Sequence, residues 1–105
     1  MKRLVNQVNL LMEEELINAN RKFPKFRSTH EGYAIIKEEV EEAADEMESI
    51  DSWLEQGWRY IKANQNAIDE IVAMKQHAIN LAAESIQVAA MCQKFIDSKL
   101  SEVNK

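Results

Sequence analysis

The chain has one cysteine, one proline and two glycines among 105 residues, and each scarcity excludes something. A lone Cys92 can form neither an internal disulfide framework nor a cysteine-type zinc site. With proline only at position 24 and glycine only at positions 32 and 57, helix-breaking points are few. Strong helix formers fill the intervals, which argues for an all-α chain of a few long helices. No apolar run approaches the length that spans a membrane. The opening Met1-Lys2-Arg3-Leu4-Val5-Asn6-Gln7 has no sustained apolar region before Glu13-Glu14-Glu15, so it does not read as a signal peptide. The expectation is a cytosolic (cytoplasmic) protein with no membrane partner. Cations are also the minority: the net charge of -5 argues against a general nucleic-acid-binding surface. The length supports one domain over 1–105. A domain this small buries only roughly two-thirds of its unfolded surface, so self-association would help it.

What is present is helical periodicity. Val8, Leu11, Met12, Leu16 and Ile17 predict a first helix from about Asn6 to Lys22. Phe23-Pro24-Lys25-Phe26 should break it. Ser28 or Thr29 then offers an N-cap, and Ser28 has Glu31 at the capping-box spacing. A second helix is expected from about Thr29 to Ile50, with Tyr33, Ile36, Val40, Ala43 and Met47 on its buried face. Asp51 to Asn66 reads as an aromatic connector, with Gly57 as a stop or turn. Its Trp53, Trp58 and Tyr60 suit packing at a bundle end or subunit contact. Stacking on a substrate base is the alternative, and both readings stay open.

From about Gln65 to Leu100 the pattern is helical again, with a break expected near Met74 to His77. Two stripes run along it. Ile68, Val72, Ile79, Ala82, Ile86, Ala89 and Ile96 form one, and Leu81, Glu84, Val88, Met91 and Phe95 the other. A helix apolar on two sides is packed on two sides, in a bundle or an oligomer. Ala82-Ala83 and Ala89-Ala90 permit close helix approach. Ser101 to Lys105 are expected to fray.

Acid is concentrated in one interval. From Glu31 to Glu55 ten carboxylates are opposed only by Lys37. Glu39 and Glu42 project from one helical face, at the edge of the apolar stripe. Glu38 and Glu46 are supporting candidates, while Glu41 and Glu48 point to solvent. Glu84 lies among apolar residues on the later helix and needs a partner there. Carboxylates from two helices facing one seam can hold a hard divalent cation such as Mg2+, with Mn2+ as the alternative. The competing reading makes Glu39 and Glu42 ordinary boundary carboxylates of a solvated face, since Glu-x-x-Glu alone has low specificity.

Other chemistry is poorly represented. Neither His30 nor His77 has a glutamate three residues before it, as a di-iron bundle requires. No phosphate-binding glycine loop, dinucleotide motif, zincin motif or nucleophile elbow occurs. Cys92 reads as a small core residue, and both histidines as surface or cap residues.

The ordered runs Arg21-Lys22-Phe23-Pro24-Lys25-Phe26, Ser28-Thr29-His30-Glu31-Gly32-Tyr33-Ala34, Ile36-Lys37-Glu38-Glu39-Val40-Glu41-Glu42 and Glu84-Ser85-Ile86-Gln87-Val88-Ala89-Ala90-Met91 carry a likeness. Together they resemble the MazG-like all-α nucleoside triphosphate pyrophosphohydrolases, especially small phage and prophage members, over about Arg21 to Phe95. The resemblance implies a helical bundle of three to five helices completed as a homodimer or homotetramer. It implies Mg2+ held by Glu39, Glu42, Glu84 and Gln87, and Glu38 as general base. Phosphate contacts would come from among Lys22, Lys25, Arg27, Lys37 and Lys94, unranked. The reaction implied is hydrolysis of a (deoxy)nucleoside triphosphate to the monophosphate and pyrophosphate. The family pattern Glu-Glu-x-x-Glu is met by Glu38, Glu39 and Glu42. Its second pattern, Glu-x-x-Asp, is not: Gln87 stands in place of the aspartate. A glutamine carbonyl can still ligate a hard cation but brings no charge. A non-catalytic nucleotide-binding or protein-interaction module is therefore the rival expectation.

Overall fold

Helix formers with few interruptions give long helices, and the computed structural model, which describes residues 1–100, has three. They are α1 (Lys2–Asn20), α2 (Thr29–Lys62) and α3 (Ile68–Ser98), with no strand among the described residues. None is long and apolar enough to cross a membrane. The expectation for Ser101 to Lys105 falls outside the described residues.

Helix α1 stops at Asn20, just short of Phe23-Pro24, where the ring of proline constrains the residue before it. It also begins earlier than the periodicity predicts, because nothing in Lys2 to Val5 opposes helix. The start of α2 is the predicted one. The Glu31 N–H donates to the Ser28 hydroxyl at 3.1 Å. Glu31 Oε1 in turn accepts from the Arg27 N–H, also at 3.1 Å. The second bond lands one residue before the usual capping-box partner, satisfying the Arg27 N–H in place of that of Ser28.

The expected connector at Asp51 to Asn66 is largely helix, since α2 continues to Lys62 straight through Gly57. Gly57 is buried inside the helix, and a Cβ there would sit 3.7 Å from Cβ of Glu70. A single glycine weakens a helix but does not stop one when tertiary packing holds the segment. The true turn lies at 63–67, where Asn64 adopts a left-handed φ of 58°. Asn tolerates that conformation better than most residues. Asn66 Oδ1 then accepts the Ile68 N–H at 2.8 Å and opens α3. The predicted break near Met74 to His77 is absent, since no glycine or proline lies there to produce one. Lys99, at φ 55°, closes the helix in the left-handed manner of a C-terminal cap.

The described residues group into two compact units. The first joins Met1–Val40 to the chain from Ser85 onward. Its core is Phe26, Ala90, Met91 and Leu100, flanked by Met12, Leu16 and Ala19 of α1, Ile36 of α2 and Phe95 of α3. Of the stripe predicted for α1, Val8, Leu11 and Ile17 stay exposed. The Phe26 and Phe95 rings pack at 6.5 Å and a tilt of 56°, within the favourable range for aromatic pairs. The Phe26 N–H donates to Ser98 Oγ at 3.0 Å, and the Ser98 hydroxyl to the Lys94 carbonyl at 2.7 Å. Gly32 lets α2 press onto Phe95, where a Cβ would meet a ring carbon at 2.5 Å. Ala90 is fully buried, as close approach requires.

The second unit, Glu41–Glu84, is an antiparallel hairpin of the later part of α2 and the earlier part of α3. Gly57 faces Glu70, and Glu46 faces His77. Ala67 is buried here, as is Glu70, whose Oε2 has no hydrogen-bond partner.

The inward face of α2 differs from the predicted one. Gly32, Ile36, Glu39, Ala43, Glu46, Ile50, Gly57 and Tyr60 are buried or half-buried, while Tyr33, Val40 and Met47 are exposed. From Gly32 to Ile50 their spacing alternates between four and three residues, and Gly57 follows two turns later, the period of a packed helical seam. On α3 the stripe containing Leu81, Glu84, Val88, Met91 and Phe95 turns inward, and Ile68, Val72, Ile79 and Ile96 face out.

Candidate metal centre and a cationic cavity

Because α2 and α3 run antiparallel, carboxylates far apart in the chain can meet. Glu42 of α2 and Glu84 of α3 do so, with a side-chain hydrogen bond between the two carboxyl groups. Glu39, one turn before Glu42 in the same helix, completes a group whose oxygens all lie within 4.8 Å of one another. Glu39 and Glu84 are half-buried on the inward faces, and Glu42 is exposed at the rim. Thus Glu39 lies closer to the seam than its predicted edge position, and Glu42 farther out.

Two carboxylates so close cannot both hold full negative charge without strong repulsion. The Glu42 carboxyl is accordingly held above its usual range. The hydrogen bond with Glu84 is the largest cause, followed by that residue's charge, desolvation and the charge of Asp45. Glu42 therefore keeps its proton to a higher pH than a lone glutamate does. A divalent cation supplies the same neutralisation more effectively, and three carboxylate oxygens suit a hard ion that keeps several waters.

The remaining predicted residues are distributed as follows. Gln87 is half-buried on α3, one turn after Glu84, on the side that carries Val88 and Met91. Glu38 is exposed and does not belong to the three-carboxylate group. Glu46 makes a specific contact that the sequence reading left unassigned, an ion pair with His77 in which Nδ1 and Oε2 are 2.7 Å apart. His77 is thus not the surface or cap residue expected. The signal was available, since His77, Leu81 and Glu84 share one helical face and His77 must point where Glu84 points. Cys92 is half-buried, as a small packing residue would be.

Among the predicted phosphate-binding cations, Lys25, Arg27 and Lys94 line one cavity of about 280 Å³ in the first unit, with Phe23, Phe26, Glu31 and Ile35. Lys22 and Lys37 do not line it. Lys94 is the residue whose placement is least expected from sequence, being only 5% exposed, with its ammonium 4.8 Å from the Phe26 ring centroid. Trp58 remains exposed, with the Lys62 ammonium 5.8 Å from its ring centroid.

No protein-family model, no curated protein and no solved structure matches this chain.

Proposed function

We propose that the chain is a MazG-like nucleoside triphosphate pyrophosphohydrolase that binds Mg2+, or Mn2+, through Glu39, Glu42 and Glu84. The observation that carries this reading is the meeting of Glu84 with Glu39 and Glu42 on two helices, where an apolar seam would otherwise be expected. Carboxylates this close repel one another, which holds the Glu42 carboxyl above its ordinary range, and a cation would relieve that repulsion. When bound, the cation would neutralise charge developing on the phosphate oxygens during attack by water. The protein's own contributions would be orientation of that water by Glu38, a neutral ligand oxygen from Gln87, and binding of the triphosphate by the cations of the first unit.

Self-association as a dimer or tetramer belongs to the same proposal. It is supported by the outward apolar stripe on α3 and by a core in which no large side chain among the described residues is fully buried. Gln87 in place of the family's aspartate favours a second reading, a nucleotide-binding module that keeps the metal and lacks turnover.

Pyrophosphate release from a panel of NTPs and dNTPs, with Mg2+ or Mn2+, tests the proposal. The wild type should turn over at least one nucleotide. Glu39→Gln and Glu84→Gln should each lose more than the roughly 10–100-fold that outer-shell substitutions cost metal sites. A folded wild type without turnover, but stabilised against heat by Mg2+ plus nucleotide, would point to the binding module. Absence of both effects would leave the acidic group as a solvated face.

A further inference from the structure

Lys94 sits in the first unit with almost its whole side chain removed from water. Among the described residues its ammonium has no carboxylate or hydrogen-bond acceptor, and it lies 4.8 Å from the centroid of the Phe26 ring. A ring face attracts a cation far less than a counter-charge does, so this largely buried lysine leaves its ammonium to be met by water or by an anion. Lys94 also lines the cavity, so an anion held there would meet its charge.

The rest of the lining points the same way. Lys25 and Arg27, from the loop joining α1 to α2, bring two more cations to it. Glu31 is the one acid in the lining, and its Oε1 already accepts the Arg27 N–H. In a chain of net charge -5, three cations around one cavity run against the composition. The cavity, about 280 Å³, lies at the small end of ligand sites, enough for a phosphate group or two and too little for a whole nucleotide. Phe23, 60% exposed at the wall, offers an apolar surface to whatever extends outward.

We propose that this cavity is a metal-independent site for a phosphate-class anion, with Lys94 as the buried anchor and Lys25 and Arg27 as its outer contacts. The choice of phosphate over other anions rests on the pyrophosphohydrolase reading, whereas the existence of the site does not. The anion could arrive as inorganic pyrophosphate or as the phosphate end of a nucleotide.

Calorimetric titration of the full chain with pyrophosphate, and separately with a dNTP, in excess chelator and at fixed ionic strength, decides it. The wild type should bind at least one of the two, and the tighter one identifies the source. Lys94→Met, which keeps an unbranched aliphatic stem, should weaken binding at least about tenfold, the loss of one strong charge-assisted contact. Lys75→Gln, an exposed lysine in the second unit, makes the same change in net charge and should bind as the wild type does. Glu42→Gln and Glu84→Gln should also keep this chelator-resistant binding. Should Lys94→Met fail to fold, Arg27→Gln at an exposed position replaces it, with weaker binding expected. No binding by the wild type, or equal binding by a folded Lys94→Met or by Arg27→Gln, overturns the site. Binding in chelator together with absent turnover would retain the site and remove the enzyme.

Discussion

At the scale of single residues, the Glu42–Glu84 pair has the most direct consequence. A glutamate whose folded-state pKa is raised above 4.5 stabilises the fold while it is protonated. That contribution is complete below about pH 4.5, the ordinary value, and is lost as pH rises through the raised one. Glu42→Gln removes both the proton and the repulsion. In chelator the variant should therefore melt above the wild type at neutral pH, and the gap should narrow as pH falls toward 4.5. A gap that is constant with pH, or of opposite sign, would contradict the raised Glu42 pKa. Metal binding runs the other way, because the cation must displace that proton. Mg2+ or Mn2+ should bind more tightly as pH rises through the raised pKa, releasing up to about one proton per ion, measurable by calorimetry in buffers of different ionisation enthalpy.

Much of this was legible in the chain. Glu39, Glu42 and Glu84 follow from a 3.6-residue period plus the oddity of a glutamate among Leu81, Val88 and Met91. The partner of Glu46 was legible only in part: the period places His77 on the Glu84 face, but it does not say which α2 residue lies opposite. Lys94 was not legible, because lysine reads as a surface residue until packing buries it and sets its ammonium over an aromatic ring.

At the scale of elements, the two glycines behave oppositely. Gly57 lies inside α2 at an ordinary helical φ, and an added Cβ would meet only Cβ of Glu70 at 3.7 Å. Gly57→Ala should stabilise the protein by about 0.5–1 kcal/mol, the helix penalty of glycine relative to alanine. Gly32 has no such room, with Phe95 and Phe26 carbons at 2.5 to 3.0 Å from the same added atom. There the helix gain must be set against overpacking, typically about 1–3 kcal/mol, so Gly32→Ala should lower stability. Denaturant melts of both variants check the pair, and a destabilised Gly57→Ala or a stabilised Gly32→Ala would refute the packing described. The same contrast explains where sequence reading erred. Glycine at 57 looked like a stop because local propensity says nothing about the helix lying against it. The cap at Ser28 was read correctly because Ser28 and Glu31 are neighbours, so no distant contact was needed.

At the scale of the whole molecule, the described chain leaves Ile68, Val72, Ile79 and Ile96 on the outward side of α3. If the proposed self-association uses this stripe, the wild type should sediment as a dimer or larger at micromolar concentration. Val72→Glu combined with Ile79→Glu should shift it to monomer, with loss of thermal stability. A wild type that sediments as monomer at all concentrations would remove the oligomer from the proposal.

The sequence by itself determined the all-α class, the start of α2 and the candidacy of three carboxylates. Each of these depends on residues within a few positions of one another, where periodicity and capping operate. Tertiary structure alone decided that α2 runs through Gly57, that Tyr33, Val40 and Met47 face out, that His77 answers Glu46 and that Lys94 is buried beside a cavity. These depend on contacts between residues tens of positions apart, and helical period specifies which residues share a face without specifying what that face will meet.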